Sequence, residues 1–242
     1  KAKMCEIYTD VDGVYTCDPR VVPDARKLET IDYDELLEMA SSGSKVMQSR
    51  SVEFAKKFKV PFEVRSSFNT NRGTIVKEEP LGLENVVVRG ISIERNQAKV
   101  TITNVPDKPG TASRIFTALA EANVIIDVIV QNVSVSGTTD ISFTMNGDEL
   151  EKLGGMIDAV AREIGAGEVT KKKGVAKLSV VGIGMRSHSG VAAKLFECLG
   201  NGGVNIQMIS TSEIKIAVII DESKIESAAK LAHEAFGLSA AA

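Results

Sequence analysis

Two groups of residues have types and spacings that could do chemistry. In the first, Asp10 and Asp12 flank what reads as a strand end, Tyr15 and Arg20 follow within one loop, and Ser42-Gly-Ser-Lys45 offers a glycine turn with a lysine at a helix edge. Cationic side chains and backbone amides near the carboxyl end of a strand are how α/β sheets hold phosphates. On spacing alone, Arg20 and Lys45 fit equally well as ordinary surface charges, and Asp12-Gly13 as only a turn. In the second group, Asp107-Lys-Pro-Gly-Thr-Ala112 leads into a helical pattern and Gln131 falls on the next apolar run. A free amino acid needs a partner for its carboxylate, one for its ammonium and a pocket for its side chain. The N–H groups opening a helix suit the carboxylate. Gly110 has no Cβ to block close approach, Asp107 could take the ammonium, and Gln131 could read a polar side chain. The plainer alternative is that Pro109-Gly110 turns the chain and Asp107 caps the helix.

The elements that position the second group occur twice. Aligning Gly110 with Gly190 sets Phe116 on Phe196, Leu119 on Leu199 and Val124 on Val204 without a gap. A repeat of about 80 residues is a duplicated module and too long a period for a solenoid. In the first copy Val100 and Ile102 alternate with polar neighbours as in a half-buried strand. Ala112, Ile115, Phe116 and Leu119 then fall at helical spacing, repeated by Ala192, Leu195, Phe196 and Leu199. Strands are predicted over Ile126 to Val133, Thr139 to Met145, Asn205 to Ser210 and Glu213 to Ile220. A second helix closes each copy, with Leu150, Leu153, Ile157, Val160 and Ile164 on one side in the first, and Ile225, Ala228, Ala229, Ala232 and Phe236 in the second. Glu168 to Lys172 completes the first copy as βαββαβ, a ferredoxin-like unit. The second copy has no fourth strand of its own, whereas Asn85 to Ile93 is a strand without a unit. The expected arrangement inserts the first module into the second, with the spare strand completing the second sheet.

Residues 1 to 80 differ in character. Met4 to Thr9 reads as a buried strand, followed by turns at Asp12-Gly13 and Asp18-Pro-Arg20. Helices follow over Tyr33 to Ser42, with Asp32 as N-cap and Glu35 at capping-box spacing, and over Ser49 to Phe58. Val60 to Ser66 is again a strand, and Glu78-Glu-Pro80 begins a linker. This order suits part of a three-layer α/β domain. The overall expectation is therefore α/β plus α+β: residues 1–80 as a three-layer fragment with linker, 81–97 as the strand completing the second module, 98–173 as the first module and 174–242 as the second.

The chain has 242 residues and a net charge of −3, so nothing steers it towards nucleic acid or anionic lipid. Lys171 to Lys173 reads as a solvated connector. Cys5, Cys17 and Cys198 form no CxxC pair, which argues for neither a disulfide framework nor a metal site. No apolar run approaches the roughly 18 residues of a membrane helix and the start has no signal-peptide pattern, so a cytoplasmic location is expected. His188 reads as a titrating switch or, more plainly, as a helix-start hydrogen-bond donor; His233 reads as plain surface.

Glu6-Ile-Tyr-Thr-Asp-Val-Asp-Gly-Val-Tyr-Thr-Cys-Asp-Pro-Arg20 and Ser41-Ser-Gly-Ser-Lys-Val46 resemble the nucleotide-binding segment of aspartate kinases. Val105-Pro-Asp-Lys-Pro-Gly110, Gln131-Asn-Val-Ser134 and Ile209-Ser-Thr-Ser-Glu-Ile214 resemble their tandem ACT regulatory modules. The resemblance covers essentially the whole chain. It implies phosphorylation of the β-carboxylate of L-aspartate by Mg-ATP, the first step towards lysine, threonine and methionine. It also implies that Thr9 and Asp10 meet the nucleotide, that Tyr15 lies by the adenine, and that Arg20 and Lys45 hold phosphates. The implied effector positions are Asp107, Lys108, Pro109, Gly110, Thr111, Ala112, Ile125, Ile126, Asp127 and Gln131 in the first module. In the second they are Ala192, Ala193, Asn205, Ile206, Gln207, Ser212, Glu213 and Ile214, contacting lysine, threonine or both across a dimer junction. No tightly bound cofactor or metal is implied.

One departure stands out. Family members open with a Lys-Phe-Gly-Gly-Thr-Ser segment and carry aspartate-binding and catalytic groups upstream of the tyrosine-threonine-aspartate motif, whereas this sequence starts at Lys1. The expectation is a chain without catalytic residues of its own, inactive alone, that pairs as a homodimer through its ACT modules or with a larger subunit. The alternative is a stand-alone amino-acid-binding regulator, against which residues 1 to 66 speak.

Overall fold

A computed structural model of the chain describes residues 4–44, 46–78, 87–132 and 137–239. Lys45, linker positions 79–84, residues 85 and 86 of the spare strand, and Val133 and Ser134 lie outside the described residues. The chain divides into two compact units, Lys1–Glu94 with Lys177–Ile220 and Lys224–Ala242, and Arg95–Ala176 with Asp221–Ser223. The second unit is thus interposed in sequence between pieces of the first.

The first unit begins with β1 (Cys5–Thr9), β2 (Thr30–Ile31), helices α1 (Tyr33–Ser41) and α2 (Ser49–Lys57), β3 (Phe62–Ser66) and β4 (Thr74–Val76). The strands lie in the order β1-β3-β4-β2. β1 and β3 are parallel, as are β2 and β4, while β3 and β4 are antiparallel. Strands β2 and β4 were not legible, being two and three residues long, too short to show a period. β1 is not the buried strand expected: it is the sheet edge, and Tyr8 is 55% exposed. Phe62 and Val64 on β3 pack with Leu36, Met39, Val52 and Val76 in one apolar cluster, each large side chain contributing roughly 2 kcal/mol by burial.

The rest of the fold is built on two long strands. β5 (Gly90–Pro106) joins the spare strand to the first strand of the first copy, and β8 (Val169–Val181) joins the last strand of the first copy to the first of the second. Each was expected as two strands. Asn96 in β5 and Gly174 in β8 take left-handed φ of 55° and 70°, a conformation Asn and Gly tolerate, close to where each strand leaves one unit for the other. The lysine run is no connector but part of β8, with Lys171 2.5 Å from Asp158 and Lys173 2.6 Å from Glu151.

Between them come α3 (Thr111–Glu121), β6 (Ile126–Gln131), β7 (Thr138–Asn146) and α4 (Gly147–Glu163). After β8 come α5 (Val191–Asn201), β9 (Ile206–Thr211), β10 (Lys215–Asp221) and α6 (Ile225–Ala235). In the second unit the order is β6-β7-β5-β8, and in the first β5-β8-β10-β9. Both are ferredoxin-like. Arg89 N donates to Val181 O at 2.8 Å, and Thr103 N to Glu168 O at 3.0 Å. The spare strand therefore completes the second copy's sheet, as expected. In the second unit Val100 and Ile102, Ile115 and Leu119, Phe143, and Leu150, Leu153 and Ile157 form one core.

Two side chains depart from expectation within the first unit. Asp32 caps α1, accepting from Asp34 N at 2.7 Å, but Glu35 closes no capping box. Its carboxylate, 3% exposed, takes Arg89 Nε at 3.0 Å and Ile183 N at 2.9 Å. His233 is not surface but 1% exposed, 2.9 Å from Thr16 Oγ1 through Nε2. The α6 pattern hid this because His233 sits beside the small Ala229 and Ala232 that let the helix approach closely. Thr16 Oγ1 lies 3.1 Å from Leu238 O and accepts from Arg26 N at 3.0 Å, so an Nε2–H tautomer of His233 is the arrangement in which all three contacts form at once.

Glu35→Ala removes one acceptor from both Arg89 and Ile183 and should cost about 3 kcal/mol in urea denaturation; a loss below about 0.5 kcal/mol, the ordinary surface value, would contradict the bridge. Burial holds the His233 imidazole below its ordinary 6.5, with Asp24 partly opposing. The unfolded chain therefore binds the extra proton first, and the stability present above pH 6.5 is lost as pH falls towards the folded value. The melting temperature should drop more steeply between pH 7.5 and 5.5 in the wild-type chain than in His233→Gln, and parallel profiles would refute this.

Candidate functional site

The parallel pair β1 and β3 ends together, Thr9 opposite Ser66, which gathers the loops that follow. Ser67 N donates to Thr9 O at 2.8 Å and Asn69 Nδ2 to Asp12 Oδ1 at 2.7 Å. Thr9 Oγ1 bonds Val11, and Asp10 is exposed. Gly13 has φ +147°, and a Cβ there would stand 2.5 Å from Thr74 Oγ1, which anchors Val14 N at 2.8 Å. Glycine is thus required for the loop to turn back onto β4. Tyr15 is half-buried, and burial pushes its phenol up, with Asp12 adding to the effect. Cys17 beside it is buried and its thiol is pushed up to about 12.

The structure therefore brings Thr9, Asp10 and Asp12 to one strand end, with Tyr15 on the next stretch. Arg20 is the outlier. Its guanidinium, 84% exposed, lies on Asp18 through Nε at 3.0 Å and a terminal nitrogen at 2.8 Å. Two cations escaped notice in the sequence. Arg65 reaches the carbonyls of Thr70 and Asn71 at 3.1 and 3.2 Å, and Lys27 that of Arg72 at 2.8 Å. They fix the loop after β3. Only the in-out alternation of Phe62-Glu-Val-Arg-Ser66 signals Arg65.

At the second group, Gly110 is the N-cap of α3 at φ 91° and offers no side chain to its N–H groups. Asp107 is not the cap; it is exposed, with its own N–H donated to Gly137 O at 3.0 Å. Among the described residues a Cβ on Gly110 would meet nothing within 4 Å, so it is the left-handed φ that demands glycine. On β7, Thr138 pairs with Pro106 and Ile141 with Gln131. The Asp107–Ala112 loop and the exposed Gln131 thus lie at one end of the sheet, on strands flanking β7. Lys108, Pro109 and Asp127 are exposed, Thr111, Ala112 and Ile126 half-buried, and Ile125 79% exposed.

The second copy repeats the frame with different filling. Gly190 caps α5 at φ 90°, again without a side-chain cap. The preceding residues wind a 3-10 turn over Ile183–Ser187, and His188 Nδ1 bonds back to Gly184 O at 2.8 Å. Ala192, Ile206 and Gln207 are half-buried, and Ala193, Asn205 and Ser212 exposed. Glu213 pairs with Arg186 at 3.0 Å. Ile214 is buried in the core, so it offers backbone more than side chain.

Residues 1–66 match the amino acid kinase family, and 99–162 and 178–236 each match an ACT domain. The aspartate kinase of Pseudomonas putida is 51% identical over 243 aligned residues, covering 100% of this chain and 59% of that protein. This chain therefore spans less than two thirds of the length of that curated relative. A solved structure of aspartokinase alpha and beta subunits is 47% identical with a TM-score of 0.58, over 62% of this chain and 99% of that one. E. coli aspartokinase III, solved in complex with lysine and aspartate in its T-state, is 26% identical with a TM-score of 0.74, over 96% of this chain and 52% of that one. A strand end that gathers Thr9, Asp10 and Asp12, two ferredoxin-like modules opening on left-handed glycines, and these relatives in the same order along one sequence make the chain a member of the aspartate kinase family.

Proposed function

We propose that the chain supplies the nucleotide side and the effector-sensing modules of an aspartate kinase, which transfers the γ-phosphoryl group of Mg-ATP to the β-carboxylate of L-aspartate. The observation that carries this reading is the joining, in one sequence, of an amino acid kinase segment to two ACT domains at 51% identity to an aspartate kinase. Residues 1–66 also weigh against a stand-alone regulator, which has no use for them.

In the reaction a carboxylate oxygen attacks the γ-phosphorus and ADP leaves. Such a transfer asks for positioning and positive charge rather than a covalent group from the protein. Thr9 and Asp10 would meet the nucleotide at the strand end, Tyr15 would lie against the adenine, and Arg20 with Lys45 would hold phosphates. Arg20 must leave Asp18 to do so. An exposed ion pair of this kind is worth only about 0–1 kcal/mol, so a phosphate can replace it readily.

The effector is an amino acid, lysine or threonine. Its carboxylate would sit at the uncapped start of α3, its ammonium by Asp107, and its side-chain end by Gln131. Ile125 and Ile129, 79% and 51% exposed beside this site, and Ile209, 43% exposed on β9, are large apolar groups of the kind buried in subunit interfaces. They support pairing of two chains through the ACT modules, with Ala192, Asn205, Gln207 and Ser212 of the second module contributing. An effector favours one arrangement of such a dimer by no more than its difference in affinity for the two, about 1–3 kcal/mol.

Titration calorimetry of the chain with L-lysine and L-threonine, separately and together, with its mass followed by light scattering, should show a dimer that binds at least one of them. Asp107→Ala and Gln131→Ala should each weaken that binding by about tenfold, the value of a charge-assisted hydrogen bond, without unfolding the chain. Unchanged affinity in both variants would remove the site assignment. No binding by a folded wild-type dimer would remove the sensing role.

A further inference from the structure

We propose that His233 is a positioning residue for the nucleotide loop, acting through Thr16. This rests on the reading of Tyr15 and Arg20 as nucleotide contacts, and it names how the second ACT module would reach them.

Thr16 lies between Tyr15 and Cys17 and is 0% exposed. Its backbone pairs across its own loop, Thr16 N donating to Arg26 O at 2.9 Å. Every other bond it makes outside that loop goes to the second module, and to both ends of it. At the beginning, Ile91 N on β5 donates to Thr16 O at 2.7 Å. At the far end, His233 Nε2 on α6 lies 2.9 Å from Thr16 Oγ1, which itself donates to Leu238 O at 3.1 Å. Next to it Ala25 pairs with Ser239 in an antiparallel bridge. The loop from Val14 to Arg26 is thus closed on itself and gripped from both ends of the module at one residue. The grip is directional. Thr16 has one proton and two lone pairs, all three used, so a displacement of α6 against β5 cannot be absorbed by rotating the hydroxyl to a new partner. It has to move the backbone that carries Tyr15. A buried group deprived of its partner also leaves an uncompensated desolvation cost, which penalises such a displacement.

The test measures Mg-ADP binding, with a fluorescent ADP analogue, and amide hydrogen exchange across the first unit, in the 242-residue chain. Thr16→Val keeps the shape and loses the bonds, and His233→Leu removes the donor from the other side. Each should weaken Mg-ADP about tenfold, as expected for one or two buried hydrogen bonds, and speed exchange in residues 15–26. His233→Gln, which retains an N–H donor, and Thr16→Ser should restore both to within about twofold, a few tenths of a kcal/mol. Wild-type affinity and exchange in Thr16→Val and His233→Leu would overturn the proposal, and so would exchange speeded equally throughout the unit, which marks a merely structural role. Should the wild-type chain bind no Mg-ADP, the nucleotide-site reading falls. The exchange pattern then decides the latch alone: faster exchange confined to 15–26 upholds it, and an unchanged or uniform pattern refutes it.

Discussion

One buried carboxylate fixes how the parts of the first unit meet. Glu35 sits on α1, a helix of the kinase-like segment, and both of its oxygens are spent on the second ACT module, one on Arg89 Nε and one on Ile183 N. A charge at 3% exposure is costly to desolvate, and only the simultaneous fit of both partners offsets that cost. Orientation is therefore the variable the pair controls. The neighbouring contacts follow from it. Lys215 meets Glu38 at 2.8 Å, Val181 enters the apolar cluster of the kinase-like sheet, and Gly43 passes so close to Ile93 O that a Cβ would lie 2.2 Å from it. Two stretches that a family comparison separates are, physically, one packed body.

Duplication kept the backbone and changed the polar filling. Both copies open their first helix on a glycine near φ 90°, because the chain must reverse from a strand into a helix within a few residues and only glycine takes that φ without strain. Neither glycine gives its helix a side-chain cap, and among the described residues both stand clear of neighbouring atoms. The segments before them differ: Asp107-Lys-Pro109 precedes Gly110, whereas a 3-10 turn with the His188 bond to Gly184 and the Arg186–Glu213 pair precedes or flanks Gly190. An identical frame thus carries two different polar loops in front of its first helix.

What was legible in the sequence was whatever had a period. The repeat, the alternation of Val100 and Ile102, the α4 stripe and the unpaired strand near residue 90 all report burial on one face, and the ferredoxin-like units followed from them. Edges and joints have no period. β1 reads as buried because Met4, Cys5, Ile7 and Tyr8 are largely apolar, yet apolar composition says nothing about which strand ends a sheet. Glu35 stands at a capping-box position, and only the approach of Arg89 and Ile183, 54 and 148 residues away, draws it off. His233 looks like a polar residue on a short terminal helix, since its partner Thr16 is 217 residues upstream. Of the nucleotide group, the strand-end aspartates could be read locally, whereas the engagement of Arg20 with Asp18 depends on the turn between them.

The same reasoning explains why a whole module could be threaded into another without loosening these joints. An insertion is tolerated where the chain leaves and returns at nearly the same place, because closing the surrounding structure then costs little extra entropy. β5 and β8 are sheet neighbours, and they bond through Arg89 and Val181 on one side of the excursion and through Thr103 and Glu168 within it. Left-handed Asn96 and Gly174 mark the two crossings. Residues 95–176 can therefore change in loop and side chain while the anchors of the second module, Ile91 at its first strand and His233 at its last helix, keep their places on Thr16. Sequence order sets these anchors far apart, and strand pairing brings them back to a single residue. That economy ties the Val14–Arg26 loop to both ends of the second module through one residue.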